Sequence, residues 1–344
     1  MREGEWRLSY SSYDNYPGAN LTFGREDSGI YCLTEPDVTF ADMDTADASL
    51  PGEDGVRMGR DYQRNATVSF ELGVDGARAL IDRHYPRRPW ASGDLIGDWT
   101  ELEAIHAVLN KSQSVDQRTL DGVSMLRSAW HADGLREKAG RVAWLVHRFG
   151  GRQRRLYGRP RKFAVAHSRF TKQGYTPVAA DFVAVDDRFY DDTAKEEEMY
   201  DHVRVTLPPR PGRPTAEYGW DSKKTAAILH EGDVNTFPYI EIWGPCTNPK
   251  VTFGPNLWAV QLSMSISSGD HVTIDPRPWQ RTVTHYKGSS TSSVADKLTR
   301  ASPRLAKMYL PPGYWNATMS FTRFGPPLTG PRVRIVWRDA HAWW

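Results

Sequence analysis

The sequence predicts a mainly β protein of two domains: an N-terminal β-sandwich or barrel with a helix packed on it, and a C-terminal β-sandwich. Three observations carry this. Between Trp258 and Ile266 the chain alternates without a break. Trp258, Val260, Leu262, Met264 and Ile266 take one face, and Ala259, Gln261, Ser263 and Ser265 the other, which is the period of a strand with one buried face. From Phe237 to Asp275 four short apolar pieces are punctuated by Gly, Pro, Asn and Ser, as in antiparallel sandwiches and barrels. Gly150-Gly151 sits between two strand-like arms, Arg141 to Phe149 and Gln153 to Arg159, a two-residue hairpin signal.

The N-terminal half opens with short β pieces at Leu21 to Phe23, Ile30 to Leu33 and Val38 to Phe40. The polar run Ala41 to Asp47 then leads into a Leu50 to Gly55 turn. The aspartates of that run do not make a calcium loop: counted from Asp42, the central Gly and the closing Glu are missing. Val68, Phe70 and Leu72 mark the next strand. Residues 83 to 98 are basic and Pro-rich. Thr100 with Glu103 fits a capping box ahead of Leu102, Ile105 and Leu109. A second helical stripe, Leu120, Val123, Leu126 and Trp130, is a face for packing on a sheet.

After the glycine hairpin, the second arm is basic: Arg152, Arg154, Arg155, Arg159, Arg161 and Lys162. We read it as the solvated outer face of an edge hairpin, where charge discourages unwanted pairing. Arg169-Phe170 and Thr176 to Asp186 follow as strands. The charged run Lys195 to Glu198 and the Pro-rich Pro208 to Pro214 mark a composition shift, which divides the chain into 1–195 and 196–344, with Tyr200 to Leu207 as a connecting strand. In the second half, Tyr239 to Trp243, Val251 to Phe253, Trp258 to Ile266 and Val272 to Ile274 are strands. The segment Tyr286 to Arg304 reads as loop with a helical turn near Ala295 to Leu298. Thr318 to Thr322 and Val333 to Arg338 close the fold.

Composition narrows the function classes. With 344 residues the chain has length for two ordinary domains. The net charge of +2, from 44 basic and 42 acidic residues, is not that of a protein that grips nucleic acid. Arg outnumbers Lys 33 to 11, which reads mainly as a trace of GC-rich coding DNA, though Arg also suits interfaces. Cys32 and Cys246 are too few for a disulfide framework or a cysteine zinc site. No run of 18 apolar residues occurs and the first residues lack an apolar signal core, so synthesis in a cytoplasm and no membrane insertion are expected. A Gly-x-Ser-x-Gly elbow, a phosphate-binding loop, His-Glu-x-x-His and dinucleotide glycines are all missing. We therefore expect no enzyme, no catalytic residues, no cofactor and no bound metal. Thirteen Trp residues serve either sandwich cores or subunit contacts. Trp258 is phased for the core, whereas Trp279 and Trp315 lie beside turns and are expected to be exposed, where a ring face can stack on a sugar.

Six motifs, in order, resemble the distal tail proteins of siphoviruses, minor tail proteins at the tail tip of long-tailed bacteriophages. These are the arm Tyr157 to Lys162 and the aspartate–aromatic strand end from Asp181-Phe182 to Asp186-Asp187-Arg188-Phe189-Tyr190, followed by Pro238 to Gly244 with Asn248-Pro249. The alternating strand Trp258 to Ile266 with Gly269 to Asp275 comes next, then Pro312-Gly313-Tyr314-Trp315-Asn316 and Trp337-Arg338-Asp339. The resemblance covers both halves. It implies a ring-forming N-terminal domain and a galectin-like, carbohydrate-module-like C-terminal one. It further implies a homohexameric ring in the virion's tail tip or baseplate, joining the tail tube protein to the tail hub. Viral DNA would pass through the lumen without specific binding. Other minor tail proteins or a host surface glycan are further implied partners, and synthesis would be in the host bacterial cytoplasm. The stretches Arg83 to Asp133 and Tyr286 to Arg304 are longer than compact members of the family need. A ring needs a heterologous interface, which free strand edges supply by strand addition. A neutral to acidic lumen is expected, since a basic one would hold phosphates.

Overall fold

The computed structural model describes residues 1–41, 43–49, 54, 56–63, 65–77, 114–166, 169–206, 217–322 and 330–344. They form two compact units: Met1–Asp192 together with Trp343–Trp344, and Thr193–Ala342. The border falls between Asp192 and Thr193, against 195 as read from composition, and the last two residues return to the first unit.

The first unit is built on β1 (Trp6–Tyr10), β2 (Ala19–Phe23), β3 (Ile30–Cys32), β4 (Asp37–Phe40), β5 (Ala48–Ser49), β6 (Val56–Arg57), β7 (Ala66–Asp75), β8 (Ala143–Phe149), β9 (Arg152–Val165), β10 (Tyr175–Ala184) and β11 (Phe189–Asp191). Its main sheet runs β2-β1-β8-β9-β10-β7-β3. The two ends of that order meet at a parallel bridge between Gly24 and Tyr31, so the sheet is nearly closed into a barrel. One face of this sheet is turned to the core and the other outward, which is why the strands alternate so regularly. In β7, Ala66, Val68, Phe70, Leu72 and Val74 are all buried. Each such large apolar side chain contributes about 1.5–3 kcal/mol on burial.

The helix α1 (Val115–His131) packs on this core through Val123, Leu126, Ala129 and Trp130. Its start carries a Ser114–Gln117 capping box, a signal the sequence reading passed over. Tyr10 Oη donates to Ala129 O at 3.0 Å and Trp130 Nε1 to Asp181 O at 3.1 Å, which fixes the helix to two strands. A short helix, α2 (Asp133–Arg136), follows. Leu120, expected on the buried stripe, is 47% exposed. Thr119 takes the inward position instead, accepting from Gly76 N through Oγ1 at 3.1 Å. The helix expected from Thr100 to Leu109 and the basic 83–98 stretch lie outside the described residues. Arg169-Phe170 is not a strand but part of a 3₁₀ turn, Arg169–Gln173. The glycine hairpin is as read: Gly150 and Gly151 have φ of 58° and 75°, the left-handed pair that a tight hairpin needs, between β8 and β9. β1, with Trp6, Leu8 and Tyr10 buried, was not anticipated.

The second unit is a sandwich. One layer of seven strands uses β12 (Lys195–Thr206), β13 (Glu217–Lys223), β15 (Tyr239–Trp243), β19 (His271–Asp275), β20 (Thr282–Lys287), β21 (Ser290–Ser293) and β23 (Arg332–Trp337), in the order β13-β12-β23-β15-β19-β20-β21. The other uses β14 (Thr225–His230), β16 (Cys246–Phe253), β17 (Trp258–Gln261), β18 (Ser265–Ile266) and β22 (Gly313–Thr322), ordered β14-β22-β16-β17 with β18 on β16. Ile240, Ile242, Val272, Ile274, Val333 and Ile335 of the first layer share one core with Ile228, Val251, Phe253, Val260 and Ala317 of the second.

Three sequence expectations change here. The Trp258–Ile266 strand is interrupted after Gln261: β16 pairs with β17 as far as Lys250–Gln261 and with β18 from Thr247–Ser265, and the break falls at Asn248-Pro249. Pro249 there has no N–H to donate and Asn248 stands at φ 50°. The face assignment survives the break: Val260, Leu262 and Ile266 are buried and Trp258 and Met264 are packed against the core. The run Lys195 to Glu198, taken for a charged boundary segment, is the start of β12, with Glu196 and Glu198 opposite Val336 and Arg334. The segment Tyr286 to Arg304 contains the β20–β21 hairpin before its 3₁₀ turn at Ala295–Lys297.

Candidate functional site

The outer face of the seven-stranded layer carries a row of side chains in register across five strands: Tyr200, Arg332, Trp243, His271 and Tyr286. Directly opposed residues of antiparallel strands stand about 4.5–5.5 Å apart, which is stacking distance for rings. Trp243 and His271 stack at 4.1 Å, and His271 and Tyr286 at 4.6 Å with planes 4° apart. The Arg332 guanidinium lies 5.0 Å over Trp243, on the other side of the indole. Burial lowers the His271 pKa, against the raising pull of Glu241 and Asp270. The row is a stiff stripe whose ring faces are occupied by one another.

A second row holds Glu198, Arg334, Glu241, Thr273 and Thr284. Arg334 reaches Glu196 at 2.5 Å and Glu241 at 3.5 Å. Farther along the same layer, Arg277 is held by Asp275 at 2.5 and 2.8 Å and lies over both Tyr239 and Trp279, at 5.6 and 5.5 Å. Burial, then the Glu241 carboxylate, raises the Tyr239 hydroxyl well above its ordinary range.

The two tryptophans picked out as exposed are both half-buried. Trp279 sits beneath the Arg277 guanidinium. Trp315 packs against the sandwich core and donates from Nε1 to Pro311 O at 2.8 Å. The exposed ring at that turn is its neighbour Tyr314, 62% exposed. Strand phase explains the exchange: in β22, Trp315 shares the inward parity of Ala317 and Met319. The sequence holds no sign of the Trp243 row, because it depends on the register among strands far apart in the chain.

In the first unit the basic arm divides into internal and external residues. Arg154 is buried, 3.6 Å from Asp191, and donates to the Trp343 carbonyl. Arg155 forks on Asp192, with Nε at 2.7 Å, and Arg7 joins the same carboxylate at 3.3 Å. Arg159 donates to the carbonyls of Arg141 and Lys138, both at 2.8 Å. The expectation of a wholly solvated face is therefore corrected. Only Arg152, Arg161 and Lys162 are exposed, without an ion-pair partner among the described residues.

Two buried polar knots complete the inventory. In the second unit, His230 Nδ1 lies 3.1 Å from Asp339 and its Nε2 2.7 Å from Val234 O, and Lys195 Nζ reaches Asp339 at 2.6 Å. Burial alone would raise the Asp339 carboxyl, but hydrogen bonds from His230 and Lys195 hold it below the usual range. In the first unit, burial lifts Asp186 to about 6, partly offset by the Tyr190 hydroxyl that it accepts at 2.7 Å. Both knots are linked to the fold rather than to an open cleft. Among the described residues no group of three or more His, Cys, Asp and Glu is placed to hold a metal, and no helix is long and apolar enough to cross a membrane. Burial pushes both free thiols, Cys32 and Cys246, up to about 12, so neither is a poised nucleophile at neutral pH.

No protein-family model and no curated protein matches the chain. Among solved structures it is similar to the Dit (gp 19.1) protein of phage SPP1, described as a paradigm of the hub adsorption apparatus in phages that infect Gram-positive hosts. That match has 10% identity and a TM-score of 0.44, covering 97% of this chain and 98% of that one. It is also similar to the baseplate of phage P2 in its activated conformation with Ca, at 10% identity and a TM-score of 0.44, over 96% of this chain and 97% of that one. The strontium form of that baseplate gives 9% identity and a TM-score of 0.43.

Proposed function

We propose that the chain is a structural protein of a bacteriophage tail tip, of the siphovirus distal-tail kind. In this reading it forms a homohexameric ring that joins the tail tube to the hub or baseplate and leaves a lumen for DNA. The observation that carries the reading is the ordered set of six motifs spread over two β units. The arm Tyr157 to Lys162 falls on β9. The aspartate–aromatic motif falls on β10, β11 and the buried Asp186–Tyr190 hydrogen bond. The Asn248-Pro249 motif falls on the irregularity that interrupts β17 and β18, and Trp337-Arg338-Asp339 on β23 and the Asp339 knot. These four motifs thus fall on elements of the fold, and none of the six is a catalytic signature. The test is the mass of the purified chain: six copies of 39.0 kDa give a particle near 234 kDa, ring-shaped by negative stain. A species that stays at the mass of one chain at every concentration, with and without its tail tube partner, overturns it.

A second reading, saccharide binding by the second unit, has one observation in its favour: the outer row of Trp243, His271 and Tyr286 beside Glu241 and Arg334. Its weakness is that the faces of Trp243 and His271 are already stacked. A glycan array probed with the whole chain tests it. Binding that Trp243→Ala abolishes supports the reading, and an empty array removes it.

A further inference from the structure

Beyond Phe40, the chain leaves the barrel sheet as a two-stranded ribbon that returns at Ala66. It is held by its own backbone: Ala41 N to Asn65 O at 3.0 Å, Asp44 and Tyr62 exchanging bonds of 2.9 and 3.0 Å, and the β5–β6 pairs Ala48–Arg57 and Ser49–Val56. Every described residue from Met43 to Tyr62 is exposed. Five large apolar side chains stand on it or at its base: Phe40, Met43, Val56, Met58 and Tyr62, from 37% to 79% exposed. A lone two-stranded ribbon is marginal in water, and apolar side chains gathered on one projection mark a contact surface. Its described charged residues are Asp44, Asp47, Asp54 and Asp61 against Arg57 and Arg60, a net of −2.

The same unit carries a surface of the opposite kind. β9 pairs with β8 only as far as Gly158, and from there to Val165 it pairs with β10 alone. On its other side, residues Arg159 to Val165 face no strand among the described residues. Arg161 and Lys162 are exposed there, together with Ala164. An open edge offers unpaired N–H and C=O groups to an added strand.

We propose that the acidic ribbon of one copy docks along the basic β9 edge of the next copy. Three facts select a second copy of this chain as the occupant. Among the described residues nothing covers the ribbon; its charge is opposite to that of the edge; and each chain carries one of each. Contacts of that head-to-tail kind fill every ribbon and every edge when a ring closes. The inference rests on the self-assembly reading above and specifies the surfaces that make it.

The experiment reverses charge on exposed residues only, leaving the barrel core untouched. One variant carries Arg161→Glu with Lys162→Glu and another Asp54→Lys with Asp61→Lys, each examined by mass photometry beside the wild type. Each variant alone is expected to assemble on the order of tenfold more weakly, because like charges meet across the contact. An equal mixture of the two restores assembly, since each ribbon then finds a complementary edge on the other variant. Hydrogen exchange of the Ala48 and Arg57 amides slows in the wild-type particle and not in either variant alone. Variants that assemble like the wild type, or a mixture that fails to recover, overturn the proposed contact while leaving self-assembly intact. A wild type that never assembles overturns the ring reading and this contact with it.

Discussion

His147 and Asp186 lie in the same unit and are displaced in opposite directions, so their effects on stability should nearly cancel over the same pH window. His147 is stacked on Trp6 at 3.9 Å and 6°, with Phe149 and Trp344 around it, and its buried Nδ1 has no hydrogen-bond partner among the described residues. Burial lowers it from 6.5 to about 4, against a weak raising pull from Glu3. Unfolding restores the ordinary value, so between these two pH values the unfolded chain binds the extra proton. The stability that neutral His147 contributes is complete above 6.5 and is lost as pH falls towards 4. Asp186 runs the other way. Its folded value is raised from 3.8 to about 6. Its contribution is complete below 3.8 and is lost as pH rises through about 6.

A displacement of one pH unit is worth about 1.4 kcal/mol, so each site carries a swing of about 3 kcal/mol. The assay is urea unfolding at a series of pH values between 4 and 6.5, followed by tryptophan fluorescence. In the wild type these two terms nearly cancel, which leaves its slope to the other displaced groups, His271 and Asp339 among them. Relative to the wild type, His147→Gln loses the rising term, so its stability falls by about 3 kcal/mol as pH increases; Asp186→Asn loses the falling term and gains a rise of similar size. Each variant also shifts the whole curve by a constant, through the lost Trp6 stack or the changed Tyr190 partner. Only the slopes test the reasoning. Two variants whose curves run parallel to the wild type would refute it.

Other outcomes follow from single contacts. Gly158→Ala should disrupt the β9–β10 pairing, because a Cβ there would lie 2.2 Å from Val183 O and 2.7 Å from Ala184 Cα; with backbone on both counts, a loss of several kcal/mol (roughly 3 or more) is expected in thermal unfolding. Asp339→Ala leaves buried His230 without its carboxylate and Lys195 without one of its two. It should cost about 3 kcal/mol, with little recovery on adding salt, since the carboxylate is 2% exposed. Trp6→Ala empties the space shared with Phe70, His147 and Trp344 and should cost about 3–5 kcal/mol by denaturant titration.

The β elements were legible wherever one face is buried, because burial imposes a period of two on the residues themselves. Val68, Phe70 and Leu72, or Val272 and Ile274, need no partner to be recognised. The helix stripe was legible for the same reason, and its one error, Leu120, arises at the first turn, where Gly76 comes close enough to take Thr119 as a partner. Interruptions were harder to place. Alternation gives the faces of Trp258 to Ile266 correctly but says nothing of the hydrogen bonds that Pro249 withholds from the strand beside it. Least legible were contacts set by register. Arg155 meets Asp192 across 37 residues and Trp243 meets His271 across a strand pair, and neither spacing leaves a mark on composition or periodicity. A run of arginines reads as a charged surface until the topology shows which of them are spent on Asp191, Asp192 and main-chain carbonyls.

That division of the arginines bears on the lumen. Of the six basic residues from Arg152 to Lys162, three are engaged inside the first unit, and two of the remaining three lie on the β9 edge that we assign to a neighbour's acidic ribbon. Assembly would then neutralise two of the three exposed basic residues of this strand, Arg161 and Lys162, and the finished ring would let DNA slide although its separate chains carry a basic patch. The consequence is measurable as the salt dependence of duplex binding. A free chain with Arg152, Arg161 and Lys162 available should give a slope of about −2.7 in log K against log salt, at roughly −0.9 per phosphate contact. Chains diluted below the point of assembly are expected to approach that slope, and the particle to fall to about −0.9, the share of Arg152 alone. A particle that binds duplex with the steeper slope would place the basic strand on the inner wall, and both the neutral lumen and the edge contact would have to be given up together.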